Sequence, residues 1–131
     1  MIKLLYPKEV WFGMFIEITE SAQQRIAAAQ ALKPGKLIVY YESRIGCICG
    51  NNGIFTLKIT QKEDPEVDAT IKTTLGDLPI QGWSLDFLDE QMKLDFSEEK
   101  HALILRGTSG LINPNVMITD DSDASVFLAL H

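Results

Sequence analysis

Cysteine, histidine and long apolar runs are scarce in this sequence, and each scarcity excludes a class of protein. Among the 131 residues there are two cysteines and two histidines. A chain of this length buries about two-thirds of its unfolded surface on folding, so we expect it to fold without disulfides or a structural metal. No apolar run reaches the ~18 residues of a transmembrane helix, and the N-terminus lacks the features of a signal peptide. The sequence therefore predicts a single soluble, cytoplasmic domain over residues 1–131.

Basic residues are also fewer than acidic residues. The chain has 12 Lys+Arg against 18 Asp+Glu, a formal net charge of −6. This excess of acid disfavours non-specific binding to nucleic acid or to an anionic membrane, because both are polyanions. The charge is unevenly distributed: eight basic and four acidic residues give +4 over residues 1–62, whereas four basic and fourteen acidic residues give −10 over 63–131. Such asymmetry indicates an interaction surface.

The spacing of apolar residues predicts one main helix at about residues 20–33. Small apolar residues recur there at helical intervals: Ala22, Ile26, Ala29 and Leu32. Ser21 and Gln24 fit a capping box at the start of the helix. Pro34-Gly35 ends it, because the residue before a proline avoids helical dihedral angles.

The rest of the chain has an apolar period of two, which is typical of half-buried strands. The predicted strands are 10–18, 37–41, 44–49, 54–60, 67–75, 83–87, 92–96, 102–106, 116–118 and 126–130. A helix from Ser84 to Met92 is an alternative to the strand 83–87, but the alternation that continues through 92–96 favours strands. We expect 44–49 and 54–60 to form a hairpin, and 83–106 to form a β-meander that turns at Asp89-Glu90 and at Ser97–Lys100. The predicted fold class is α+β, a mainly antiparallel sheet with the helix packed on one face.

No pattern in the sequence supports catalysis or a resident metal. Cys47 and Cys49 point the same way on a predicted strand, but a zinc site needs four ligands and neither His101 nor His131 has ligand spacing to them. We interpret the two cysteines as small buried apolar residues. His101 has no nucleophile motif to serve as a base, and the acidic loop 120–123 lacks the glycine and distal glutamate of a calcium loop. We expect no catalytic residue, metal site or cofactor.

The remaining signal is a concentration of acidic and aromatic residues in the predicted meander. The candidate contact residues for a partner are the acids Asp86, Asp89, Glu90, Asp95, Glu98 and Glu99, with Trp83 or Phe87 as an apolar anchor. Strand alternation would place Asp86 and Asp95 on the face opposite the aromatic side chains. Like charges held this close repel one another, and a basic partner would relieve that repulsion.

The leading functional hypothesis from the sequence is a non-catalytic intracellular protein-binding module. It would be a small acidic immunity or inhibitor protein that neutralises a basic, nuclease-type toxin. One alternative is a small-ligand-binding or enzymatic domain with a pocket between helix and sheet, to which His101 and Cys47 or Cys49 would supply polar groups. A third is an assembly subunit that pairs through an exposed strand. The sequence leaves the oligomeric state and the strand order open.

Overall fold

The computed structural model describes residues 14–42 and 53–127. Within them the strands are β1 (Phe15–Ile18), β2 (Lys36–Glu42), β3 (Ile54–Thr60), β4 (Ala69–Thr73), β5 (Gly76–Ile80), β6 (Gln91–Ser97), β7 (Ala102–Gly107), β8 (Gly110–Val116) and β9 (Ile118–Thr119). The α-helix α1 is Glu20–Leu32, and a 3₁₀-helix spans Gly82–Phe87. No helix in these two ranges is long and apolar enough to cross a membrane.

The helix lies where the apolar spacing predicts it, but its N-cap is two residues before the predicted one. Thr19, not Ser21, is the N-cap: its Oγ1 accepts a hydrogen bond from the backbone N–H of Ala22 at 3.3 Å. Lys33 ends the helix with an extended backbone immediately before Pro34, as expected for a residue that precedes proline. The buried residues of α1, among them Ile26, belong to the hydrophobic core.

The strands form one nine-stranded sheet in the order β8-β7-β6-β1-β4-β5-β2-β3-β9. Four pairs are antiparallel: β2 with β3, β4 with β5, β6 with β7 and β7 with β8. Four are parallel: β1 with β4, β1 with β6, β2 with β5 and β3 with β9. The sheet is therefore mixed: antiparallel pairs join most of the paired residues, as predicted, but the sheet is not purely antiparallel. Turn residues signal hairpins locally, whereas each parallel pair joins segments far apart in the chain.

The chain between β8 and β9 brings the two ends of the sheet together. β8 is the last strand on one side and β9 the last on the other, yet only Met117 separates them in sequence. The backbone N–H of Leu57 in β3 donates to the carbonyl oxygen of Met117 at 2.9 Å. The sheet is thus close to a barrel, with one hydrophobic core cluster inside it that includes Ile16, Leu57 and Leu94.

One further strand prediction needs correction, and another falls outside the described residues. Residues 83–87 are part of the 3₁₀-helix rather than a strand, because the backbone N–H and the hydroxyl of Ser84 both bond back to the carbonyl oxygen of Gln81, at 3.0 and 2.8 Å. The predicted arm 44–49 lies outside the described residues, so its hairpin with 54–60 stays a prediction; β3 pairs with β2 along its whole length. The meander does form, but from β6, β7 and β8.

Candidate functional site

The six predicted contact acids do not share one surface. Glu90 precedes β6, whereas Glu98 and Glu99 lie in the turn after it. A strand of this length spans on the order of 20 Å, so the two groups lie at opposite ends of β6. Asp86 is exposed on the 3₁₀-helix. Strand alternation does not apply to Asp86, because residues 83–87 belong to a 3₁₀-helix rather than to a strand.

Two of these acids stabilise the fold rather than face solvent freely. Asp89 accepts hydrogen bonds from the backbone N–H of Ser109 at 3.0 Å and from its hydroxyl at 2.8 Å. These bonds, the backbone one foremost, lower the pKa of Asp89. Asp95 accepts a bond from the Thr19 hydroxyl at 2.7 Å and one from Ser21 at 3.3 Å. The Thr19 bond is the main reason that the pKa of Asp95 is lowered.

The predicted aromatic anchors do come together, with a residue that sequence reasoning missed. We call Tyr41, Trp83 and Phe87 the aromatic patch. The Tyr41 ring is stacked on Phe87 with centroids 5.1 Å apart and meets the Trp83 ring edge-on at 5.6 Å. Trp83 is 44% and Phe87 58% exposed, and the Trp83 indole N–H donates to Glu66 at 3.2 Å. The patch is therefore a solvent-facing apolar surface with an ordered geometry.

A buried amide holds the aromatic patch in place. Gln81 is 1% exposed. Its Oε1 accepts from the backbone N–H of Tyr41 at 2.8 Å, and its Nε2 donates to the Tyr41 carbonyl oxygen at 3.2 Å. Since β5 ends at Ile80, the Gln81 side chain supplies to β2 the two hydrogen bonds that another strand residue would make. Nothing in the sequence around Gln81 signals this role, because it depends on the parallel pairing of β2 with β5.

The patch lies where the chain leaves the sheet before its two cysteines and returns after them. Cys47 and Cys49 fall outside the described residues, between Glu42 at the end of β2 and Ile54 at the start of β3. Glu42 and Ile54 are partners in the β2–β3 ladder. The backbone N–H of Gly53 donates to the Tyr41 hydroxyl at 2.9 Å. In the sequence, Cys47 follows Glu42 by five residues.

The described residues contain no group of three or more His, Cys, Asp or Glu side chains that could hold a metal ion. His101, considered above as a base, lies in the β6–β7 turn with a positive φ of 53°. Its ring meets that of Phe96 edge-on at 5.5 Å. The sequence has two cysteines, so the thiolate ligands that this chain can offer a metal are those of Cys47 and Cys49.

Comparison with known proteins finds a matching family model and a curated relative. A family model for iron–sulphur cluster biosynthesis matches residues 14–120. The uncharacterized protein YqkB of Bacillus subtilis (strain 168) is 27% identical over 105 residues, which are 80% of this chain and 97% of that protein.

Two solved structures share the fold. A Lactobacillus salivarius protein described as an Fe-S biosynthesis protein with a novel fold matches with a TM-score of 0.68 and 19% identity, over 82% of this chain and 98% of that one. A protein with the same functional description from Lactobacillus acidophilus matches with a TM-score of 0.63 and 20% identity, over 83% and 91% of the two chains.

These findings overturn the functional hypothesis drawn from charge. The interpretation as an immunity or inhibitor protein is wrong, and so is the basic toxin as its partner, because the family match points to iron–sulphur cluster biosynthesis. Size, net charge and missing catalytic motifs are properties that unrelated functions share, so they do not identify a partner. The use of the six acids and two aromatic residues in partner contact stays an untested prediction.

Proposed function

Because the chain belongs to the iron–sulphur cluster biosynthesis family, we propose that it is a non-catalytic carrier or scaffold. Its cargo would be iron or an iron–sulphur cluster, which it passes to an acceptor protein. The observation that carries the proposal is the family match over residues 14–120, most of the chain. The Cys47-x-Cys49 pair supports it, since thiolates are the usual ligands of these clusters.

The number of cysteines sets the proposed stoichiometry. A [2Fe–2S] cluster held by thiolates takes four of them, and the sequence supplies two. In the proposal, two chains therefore hold one cluster, each contributing Cys47 and Cys49. A cytoplasmic location belongs to the same proposal, because a reducing compartment keeps such thiols free.

We carry two structural predictions into the proposal. The first is one domain over residues 1–131. The second is that α1 packs on one face of the sheet, which is supported by the burial of Ala22, Ile26 and Ala29 in the same core cluster as the strands.

Cluster loading under anaerobic conditions tests the cargo. Purified protein is incubated with ferric iron and sulphide, the oxidation states of an oxidised [2Fe–2S] cluster, then desalted and analysed for bound iron, bound sulphide and visible absorbance. We expect equal amounts of iron and sulphide and about one of each per chain, since one [2Fe–2S] cluster serves two chains. The double variant C47S/C49S should bind neither.

A matched control and the molar mass complete the test. The double variant D86N/E98Q changes two exposed acids and should load as the wild type does. Light scattering should show twice the chain mass for the loaded protein. Failure of the wild type to bind iron and sulphide, or equal loading of C47S/C49S, contradicts the cargo proposal. A loaded protein with the mass of one chain contradicts only the two-chain stoichiometry.

The aromatic patch is the proposed contact surface for the acceptor. Exposed aromatic residues in a fixed geometry are typical of partner contacts, and the patch lies at the two ends of the segment that carries the thiols. Trp83→Ala should therefore slow cluster transfer to an acceptor without reducing loading. Leu111→Ala, a change to an exposed apolar residue of β8, is the matched control. Equal transfer rates for the two variants would exclude the patch as the contact surface.

A further inference from the structure

A second candidate site lies in a small pocket beside α1, separate from the aromatic patch. The pocket has a volume of about 150 Å³. Polar or aromatic side chains line it from α1, from the β6–β7 turn, from β8 and from the chain after β9: Arg25, His101, Asn115, Ser125 and Phe127. None of its lining residues is acidic, although the whole chain has a net charge of −6.

Arg25 has a fixed orientation, and its side-chain N–H groups donate to no described residue. Its guanidinium carbon lies 3.7 Å from the centroid of the Phe127 ring and 5.3 Å from that of Phe96. Stacking on aromatic rings fixes the plane of a guanidinium group. In the part of the chain that the structure describes, Arg25 forms no ion pair and no hydrogen bond through its side chain. None of the described residues therefore occupies its five N–H donors.

Three other side chains add donors to the same pocket. The Asn115 backbone N–H donates to Asn113 at 2.9 Å, but the Asn115 amide group bonds to no described residue. The Ser125 oxygen accepts from the backbone N–H of Phe127 at 3.2 Å, which leaves the hydroxyl proton free to donate. The His101 imidazole also reaches the pocket wall.

We propose that this pocket binds a small oxyanion, the size of phosphate or of a carboxylate group. A planar guanidinium binds two oxygens of such a group at once, and the amide and hydroxyl of the neighbouring side chains can reach the others. The larger cleft over the outer face of β2 to β5, about 660 Å³, does not fit this role. Three lysines and five carboxylates line that cleft, whereas no carboxylate is among the described residues that line the Arg25 pocket.

Titration with inorganic phosphate tests the proposal. Phosphate replaces chloride in the buffer, so that the ionic strength stays constant. Binding is followed by amide and guanidinium NMR shifts. We expect saturable shifts at Arg25 and Asn115. Arg25→Gln should weaken phosphate binding roughly tenfold or more, because a charge-assisted pair of bonds is lost. Arg106→Gln makes the same charge change at an exposed position of β7 and should leave binding unchanged.

Further variants keep the test decisive if Arg25→Gln does not fold. Asn115→Ala changes an exposed side chain, and His101→Asn retains a residue that tolerates positive φ; each should weaken binding several-fold. Titrations with acetate and with glycerol phosphate distinguish a carboxylate, a free phosphate and a phosphate head group on a larger molecule. Shifts that do not saturate, or equal losses in Arg25→Gln and Arg106→Gln, would overturn the proposal. This outcome is independent of cluster loading, which does not involve the pocket.

Discussion

The side-chain amide of Asn113 donates a hydrogen bond to the backbone carbonyl oxygen of Phe55 across 2.8 Å. Asn113 lies in β8 and Phe55 in β3, so this bond crosses the gap between the two sides of the sheet. Asn113 is 6% exposed, and its Oδ1 accepts from the backbone N–H of Asn115 at 2.9 Å. One buried amide thereby satisfies the Phe55 carbonyl and holds the chain as it passes from β8 towards β9.

Asn113→Ala should destabilise the protein substantially. The change leaves the buried carbonyl oxygen of Phe55 without its donor, which costs about 1–3 kcal/mol. Urea unfolding followed by circular dichroism measures the loss. Asn115→Ala, an exposed change two residues along the strand, should alter the free energy of unfolding by less than about 0.5 kcal/mol. Equal stabilities for the two variants would mean that the bond contributes nothing to closing the sheet.

Thr19→Ala should both weaken α1 and raise the pKa of Asp95. The Thr19 oxygen caps the helix and its hydroxyl donates to Asp95, and loss of an N-cap costs about 0.5–2 kcal/mol. The pKa of Asp95 should move back towards its ordinary value, since the Thr19 bond is the largest cause of its lowering. An NMR titration of the carboxyl carbon measures the change. Thr19→Ser keeps the hydroxyl and should keep both properties; an unmoved pKa in Thr19→Ala would contradict this interpretation.

The loop after β9 should make the protein sensitive to acid. Hydrogen bonds from the Ser122 hydroxyl and from backbone N–H groups, with Lys33 nearby at 3.4 Å, lower the pKa of Asp120 to about 2. A carboxyl group with a lowered pKa stabilises the fold above its unfolded pKa, and this contribution disappears as the pH falls through the folded one. The free energy of unfolding should therefore fall between about pH 4 and pH 2.

Variants assign this acid sensitivity to Asp120. Asp120→Asn should lose on the order of 1 kcal/mol at neutral pH, because the loop is partly open to solvent and the charge is screened. Its stability should then depend less steeply on pH in the acid range. Asp86→Asn removes an exposed carboxylate with no hydrogen bond to described residues and should keep the wild-type pH profile. Identical profiles for Asp120→Asn and the wild type would be inconsistent with the assignment.

Gly107→Ala should disrupt the bond between Asp89 and Ser109. A methyl group at position 107 would overlap the Asp89 carboxylate, which is held by the Ser109 backbone and hydroxyl. A double-mutant cycle with Asp89→Ala tests the connection by urea unfolding. We expect Gly107→Ala to cost less in the Asp89→Ala background, with a coupling of about 0.5–3 kcal/mol. Additive effects would show that the two positions act independently.

Local features of the sequence were sufficient for the elements whose signals are local. α1 is predicted to within one residue at its end, because helical apolar spacing and Pro34 act within a few residues. The cores of β2 and β3 also follow from alternation. The 3₁₀-helix 82–87 does not follow from the sequence pattern, because apolar residues at 83, 85 and 87 match a strand. In the structure the Ser84 hydroxyl donates to the Gln81 carbonyl oxygen and closes a tight turn. Short apolar runs do not distinguish these two states.

The candidate site was predictable only in part for the same reason. Trp83 and Phe87 were identified as anchors from their residue type, but Tyr41 and Gln81 join them through the parallel pairing of β2 with β5. No residue near either strand signals that pairing. The six acids are close in sequence but do not come together in space, because Glu90 and Glu98 flank opposite ends of β6.

The sequence by itself, with few cysteines and histidines, predicted a chain that folds around an apolar core, and the described residues contain such a core. The sequence also determined its helix, most of its strands and its two thiols. Only the tertiary structure decided the mixed sheet, its closure through Asn113 and Phe55, and the places of Asp89 and Asp95 as hydrogen-bond acceptors. The physical reason is that local dihedral preference and apolar period act over a few residues, whereas pairing between distant strands depends on how the whole core packs.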